Sequence, residues 1–102
     1  MGVILLSKAQ KDIGDIARFY LRKHPQRMMQ RKLAIILTGI RDLERQPISV
    51  GLATEIPNIF YWIVDITPKE QYLIYFERIR PDIVVYRVYP ARGEPLTPEE
   101  IN

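Results

Sequence analysis

The sequence predicts an α+β fold of order β-α-α-β-β-β, in which a helical hairpin packs on a small antiparallel sheet. Two observations predict it. Apolar residues recur at helical spacing in the first half of the chain, and β-branched and aromatic runs separated by short turns fill the second half. A sheet with one apolar face must pack that face against another element, and the helical hairpin is the only predicted element available for this packing.

The length and composition indicate one ordinary globular domain. The 102 residues suffice for a single unit, residues 1–102, with a tail at 93–102. There is no cysteine, so disulfide and thiol chemistry are excluded. The apolar run near the N-terminus has four residues, which is too short for a signal peptide or a membrane span. We therefore expect a cytoplasmic protein without a membrane partner.

The first strand is predicted at residues 3–6, and a helix follows it from about Lys8 to His24. Ser7 and Gln10 have the spacing of a capping box, and Pro25 ends the helix. Its predicted apolar stripe consists of Ala9, Ile13, Ile16, Ala17, Tyr20 and Leu21. Its predicted polar side consists of Lys11, Asp12, Asp15, Arg18 and Arg22.

A second helix is predicted at residues 26–46, and Pro47 ends it. The short gap between the helices indicates an antiparallel hairpin. Residues 47–59 contain two prolines and a glycine and are predicted to be a loop. The predicted stripe of the second helix consists of Met29, Leu33, Ile36, Leu37, Ile40 and Leu43.

Three strands are predicted at residues 60–66, 71–79 and 83–89, joined by short turns into an antiparallel meander. We expect the N-terminal strand to join the edge of this sheet. Alternation places Tyr72, Ile74, Phe76 and Arg78 on one face and Leu73, Tyr75, Glu77 and Ile79 on the other.

The sequence lacks the residues that metal binding and several kinds of catalysis require. His24 is the single histidine and cysteine is absent, so no metal site is expected. A serine nucleophile would lack a partner base, and the five glycines do not cluster into a phosphate-binding loop. We accordingly expect neither a metal nor a cofactor.

Charge is distributed unevenly along the chain. Residues 8–46 hold ten Lys/Arg and four Asp/Glu, so 10 − 4 = +6, whereas residues 47–102 hold five and eight, so 5 − 8 = −3. This asymmetry indicates either an electrostatic face or an ordinary solvated helical surface.

Within the predicted strands, Arg87 is expected to be exposed or to pair with Asp65 or Glu77. Trp62 is expected in the core rather than at an interface. The strand tyrosines are expected to pack structurally, with their hydroxyls in water: Tyr61, Tyr72, Tyr75 and Tyr86.

Three stretches together resemble the ParE toxins of the RelE/ParE superfamily, the toxins of bacterial type II toxin–antitoxin modules. They are "SKAQKDIGDIARFY" after a short strand, "LERQPISVG" at the end of the second helix, and "QYLIYFERIRPDIVVYRVYPARGE" in the meander. The resemblance covers about residues 3–94 and implies the same hairpin-on-sheet fold.

The resemblance also implies partners and an activity. A cognate antitoxin would bind the toxin in a hetero-oligomer such as a heterotetramer, with Trp62, Tyr75, Arg18 and Arg22 as its expected contacts. ParE-like members poison DNA gyrase, whereas RelE-like members cleave mRNA on the ribosome. The residues expected to bind the target are Arg92, Arg87, Arg78 and Tyr89.

The ParE-like activity is the better match. RelE-like nucleases carry lysines and an arginine in the sheet, but residues 52–66 here contain no Lys or Arg, and Leu73 stands at the position of the arginine. Without cations, little would stabilise a pentavalent phosphate. The nuclease alternative retains Tyr89 and Arg92 as its catalytic residues. A third possibility is a toxin relic that only binds an antitoxin or acts in repression.

Overall fold

The computed structural model describes residues 2–46 and 51–91. The elements are β1 (Val3–Leu5), α1 (Ser7–Lys23), α2 (Gln26–Asp42), a 3₁₀ turn (Leu43–Arg45), β2 (Leu52–Ala53), β3 (Phe60–Thr67), β4 (Glu70–Ile79) and β5 (Asp82–Pro90). The predicted α+β class, the helical hairpin and the three-strand meander are confirmed. Strand β2 lies within the segment predicted to be a loop. The sequence does not indicate this strand, because two residues are too few to show the alternation typical of a strand.

The five strands form one sheet in the order β1-β5-β4-β3-β2. Strand β1 joins the edge as predicted, but it runs parallel to β5, with Ile4 opposite Val84. The other pairs are antiparallel, so the sheet is mixed rather than wholly antiparallel. The parallel direction depends on how the hairpin carries the chain back across the sheet, which no local pattern encodes.

The helices cover one face of this sheet. Tyr72, Ile74 and Phe76 of β4 point into the core together, as their alternation predicts. Gly39 lets α2 approach β3 closely, because a Cβ at this position would lie 2.6 Å from Cγ2 of Val64. The fully buried side chains of the core are Tyr20, Phe76, Ile36, Leu43, Ile74, Val85 and Val88.

The predicted capping box is wrong. Helix α1 begins at Ser7 itself, Leu6 occupies the N-cap position, and no side chain caps the helix. Leu6 is held in extended conformation because its N–H donates to the carbonyl of Val85 at 3.1 Å. Gln10 instead donates its side-chain amide to the carbonyl of Leu5 at 2.8 Å.

Both helical stripes are narrower than predicted. Leu21 and Leu37 are 47% and 42% exposed. Each comes one residue after a fully buried one, Tyr20 and Ile36 respectively. Its side chain is therefore rotated by about 100° around the helix, away from the core. Asp12, predicted on the polar side of α1, is only 8% exposed and faces the sheet.

Candidate functional site

The structure separates the residues predicted to bind the target. Arg78 pairs with Ile83 near one end of the β4–β5 ladder, and Tyr89 pairs with Leu73 near the other. Five residues of strand separate the two positions, which corresponds to about 17 Å. Arg92 lies outside the described residues. Arg78 and Tyr89 therefore do not share one site.

Arg87 belongs to a partly buried ion pair with Asp12 of α1. Its Nε and Nη2 donate to the two carboxylate oxygens at 2.8 and 2.9 Å, and the Val88 N–H donates to Asp12 at 3.0 Å. The predicted partners Asp65 and Glu77 are wrong. They accept hydrogen bonds from Gln71 and Tyr86 instead, both at 2.7 Å.

A register shift between β4 and β5 explains why Arg87 pairs with Asp12. Between Tyr75 and Phe76 the partners on β5 change from Arg87 to Val85, which leaves one extra residue on β5. Such a bulge turns the side chains that follow it. Because β1 pairs with residues 83–85, the amide of Val88 has no strand neighbour on that side among the described residues and donates to Asp12.

Three tyrosines form a row on the face of the sheet that points away from the core. The ring of Tyr75 lies 6.0 Å from that of Tyr61 and 6.1 Å from that of Tyr89. The guanidinium of Arg87 lies 4.5 Å from the centre of the Tyr89 ring. Trp62 packs instead against the core. Trp62 and Tyr75, both predicted to contact an antitoxin, thus lie on opposite faces.

A cleft of about 520 Å³ opens where the end of α1, the β3–β4 turn and the end of β5 meet. We call it the tyrosine cleft, and Arg92 follows its last lining residue in the sequence. Its lining consists of Phe19, Tyr20, Lys23, His24, Lys32, Lys69, Glu70, Gln71, Tyr72, Pro90 and Ala91.

A chain of hydrogen bonds crosses the floor of the tyrosine cleft. Lys32 donates to one carboxylate oxygen of Glu70 at 2.7 Å, and the Tyr20 hydroxyl donates to the other at 2.7 Å. The Tyr20 and Tyr72 hydroxyl oxygens are 3.0 Å apart. Since Tyr20 has one proton and gives it to Glu70, Tyr72 must be the donor in that contact.

The pKa shifts of Glu70, Tyr20 and Tyr72 favour a single protonation state of these hydrogen-bonded groups. The Lys32 ammonium and the Tyr20 hydroxyl lower the pKa of Glu70, so it is a carboxylate at neutral pH. Burial and the hydrogen bonds to Tyr72 and Glu70 raise the pKa of Tyr20 well above its usual 10.0, and burial raises that of Tyr72. Both tyrosines therefore remain hydroxyl groups, and the floor of the cleft offers a fixed set of hydrogen-bond donors and acceptors.

Sequence reasoning did not assemble this cleft. The sequence predicts Tyr20 in the apolar stripe of the first helix and Tyr72 packing structurally with its hydroxyl in water, and it singles out neither Lys32 nor Glu70. The available signal was that a buried tyrosine hydroxyl requires a partner. The residues that meet here are far apart in sequence, so no spacing predicts their contact.

The described residues contain no group of three or more His, Cys, Asp or Glu side chains that could hold a metal ion. In the same part of the chain, no helix is both long enough and apolar enough to cross a membrane.

The fold defines a class of small α+β proteins in which a helical hairpin covers a mixed five-stranded sheet. No protein-family model and no curated protein sequence matches the chain. Among solved structures, the chain is similar to one described as the chromosomal ParDE TA system from P. aeruginosa, with a TM-score of 0.75 and 18% identity. The similarity covers 87% of this chain and 94% of that chain. At this identity it establishes the fold, and the ParE-like fold predicted from the sequence is confirmed.

Proposed function

We propose that the protein is the toxin of a type II toxin–antitoxin system, that a cognate antitoxin neutralises it, and that it inhibits growth by binding DNA gyrase. The observation that carries the proposal is the fold shared with a ParDE TA structure over most of both chains. The sequence resemblance to ParE toxins supports it independently.

The outer surface of the hairpin suits an acidic, amphipathic antitoxin segment. Arg18 and Arg22 of α1 are exposed, as are Arg27 and Arg31 of α2. Exposed apolar side chains accompany them: Phe19, Leu21, Met28 and Leu37. A partner segment that carries carboxylates and apolar residues together would bury the second set while pairing with the first.

A binding target fits better than RNA cleavage. The tyrosine of the nuclease alternative, Tyr89, packs edge-on against Tyr75 beneath the Arg87 guanidinium. The described part of β3 contains no Lys or Arg to stabilise a pentavalent phosphate. These features favour gyrase over the nuclease alternative, whose residues would be Tyr89 and Arg92.

The decisive experiment induces the protein alone and together with the product of the neighbouring reading frame. We expect growth arrest that the second protein relieves, inhibition of gyrase supercoiling by purified toxin, and no codon-linked mRNA cuts by primer extension. Arg92→Ala is expected to reduce toxicity and Arg41→Ala, an exposed cation of α2, to leave it unchanged. Harmless induction, or mRNA cleavage with unaffected gyrase, would refute the gyrase proposal.

A further inference from the structure

We propose that the tyrosine cleft binds a short acidic segment of the partner protein, with Lys23 and Lys69 pairing with its carboxylates and the floor accepting its backbone N–H groups. The proposal rests on the proposed function in one respect, since it assigns this segment to the antitoxin. It adds a second contact area at the end of the sheet, which adjoins the outer surface of the hairpin and shares Phe19 with it.

The charge of the cleft indicates an anionic occupant. Its lining contains three lysines and one carboxylate. Lys32 is already paired with Glu70 at 2.7 Å. Lys23 and Lys69 are exposed, and neither makes an ion pair within residues 2–46 and 51–91. Within the described residues, two ammonium groups without an acidic partner therefore flank the opening.

The floor of the cleft indicates an occupant that also donates hydrogen bonds. Tyr72 uses its proton on Tyr20, so its oxygen is left with lone pairs that can accept. Glu70 is an acceptor and carries a negative charge that would repel a phosphate dianion more than a single carboxylate. A peptide supplies both required groups, because its backbone N–H donors lie beside its acidic side chains.

The walls argue against a nucleotide. Base recognition in a shallow site relies on stacking on an aromatic face. Here the Lys23 ammonium lies 4.8 Å from the centre of the Phe19 ring, and the Lys32 ammonium lies 4.8 Å from the centre of the Tyr20 ring. A cation thus already lies over one face of each ring, and Tyr20 is only 1% exposed, so little aromatic face is left on which a base could stack. The apolar part of the wall, with Phe19 42% exposed, suits an aliphatic side chain next to the acidic ones.

The test titrates the ¹⁵N-labelled full chain with the probe acetyl-Glu-Leu-Asp-Glu-amide and with its neutral counterpart acetyl-Gln-Leu-Asn-Gln-amide. We expect the acidic peptide to shift the amide signals of His24, Lys69, Gln71 and Ala91, and the neutral peptide to shift them little. Lys23→Glu/Lys69→Glu should weaken binding by about tenfold or more. Arg41→Glu/Arg45→Glu changes the net charge equally but lies outside the cleft lining, so it should weaken binding less than about twofold.

Other outcomes would overturn the proposal. The proposal fails if both peptides bind equally well, or if the signal shifts are confined to the hairpin residues Arg27 and Arg31. It also fails if both double variants lose the same amount of peptide affinity. Inorganic phosphate or adenosine monophosphate binding the cleft more tightly than the peptide would make it a phosphate site instead. Both altered lysines are exposed, and Lys23→Gln/Lys69→Gln provides a milder variant that should weaken binding in the same direction.

A second measurement separates this proposal from the proposed function. If the neighbouring gene product binds wild-type toxin and Lys23→Glu/Lys69→Glu equally well, the cleft proposal fails while the toxin–antitoxin function stands. If the acidic peptide binds the cleft but the protein is harmless and has no antitoxin, the proposed function fails and so does the assignment of the segment to an antitoxin. A cleft-dependent loss of antitoxin affinity of about tenfold supports both.

Discussion

Among single residues, Asp12 and Arg87 have the clearest structural role. The carboxylate of Asp12 accepts three hydrogen bonds, two from the Arg87 guanidinium and one from the Val88 amide, and it joins α1 to the exposed edge of β5. The guanidinium also covers the ring of Tyr89. Arg87, predicted from the sequence to bind the target, is therefore well placed to hold β5 and Tyr89 in position, and its contact with a target stays a prediction.

Asp12→Ala is expected to lower the free energy of unfolding by about 3 kcal/mol, because it removes the three hydrogen bonds that the carboxylate accepts from the Arg87 guanidinium and the Val88 amide. Denaturant unfolding measures this change. Asp15→Ala is the matched control on the same helix, since its ion pairs with Lys11 and Arg18 are exposed, and it should change stability by less than about 1 kcal/mol. Equal effects of the two changes would refute the structural role.

Glu70 makes the stability of the fold depend on pH in the acidic range. Because the folded state lowers its pKa from the usual 4.5, its contribution is complete above that value and is lost as pH falls through the folded-state pKa. Wild-type protein should lose stability on acidification below pH 4.5 more steeply than Glu70→Gln, as followed by denaturant midpoints. Glu55→Gln, an exposed control outside the cleft, should retain the wild-type slope. A wild-type slope in Glu70→Gln would contradict the assignment.

Among the elements, the contact of α2 with β3 depends on one glycine. A Cβ on Gly39 would meet Val64 at 2.6 Å, and Val64 belongs to the buried core, so it has little freedom to move. The stripe of α2 indicates which face is buried, but it does not show how closely that face approaches the strand. This distance depends on side chains that the two elements contribute from distant parts of the sequence.

Gly39→Ala should destabilise the protein by about 1–3 kcal/mol, the usual range for overpacking a core. Thermal unfolding measures this loss, and Val64→Ala in the same chain should restore part of it. Gly14→Ala is the matched control in α1, where the nearest atom to a Cβ is 3.6 Å away on the flexible Arg18 side chain. It should stabilise the helix by about 0.5–1 kcal/mol. Destabilisation of equal size at both positions would contradict a close approach at Gly39.

At the scale of the whole molecule, charge is distributed unevenly along the chain, with +6 in residues 8–46 and −3 in residues 47–102. The basic segment forms the hairpin, and the hairpin presents Arg18 and Arg22 to solvent. A basic surface of this kind steers an acidic partner into encounter more than it adds to final affinity.

The association rate of the proposed antitoxin should therefore fall as ionic strength rises from about 0.01 to 0.15 M, over which the screening length shrinks from about 30 to 8 Å. Stopped-flow fluorescence measures it. Arg18→Glu/Arg22→Glu should slow association and flatten the salt dependence, whereas Arg80→Glu, in the turn between β4 and β5, should have little effect. An association rate that is independent of salt would exclude electrostatic steering.

The sequence by itself determined the order of the main elements, the hairpin over the sheet and the core face of β4, because each follows from a period that neighbouring residues carry. Only the tertiary structure decided that β1 runs parallel to β5, that Asp12 is the partner of Arg87, and that Tyr20, Lys32, Glu70 and Tyr72 line one cleft. These contacts join residues about 38 to 80 positions apart. Their geometry depends on how whole elements pack, so no local period specifies it.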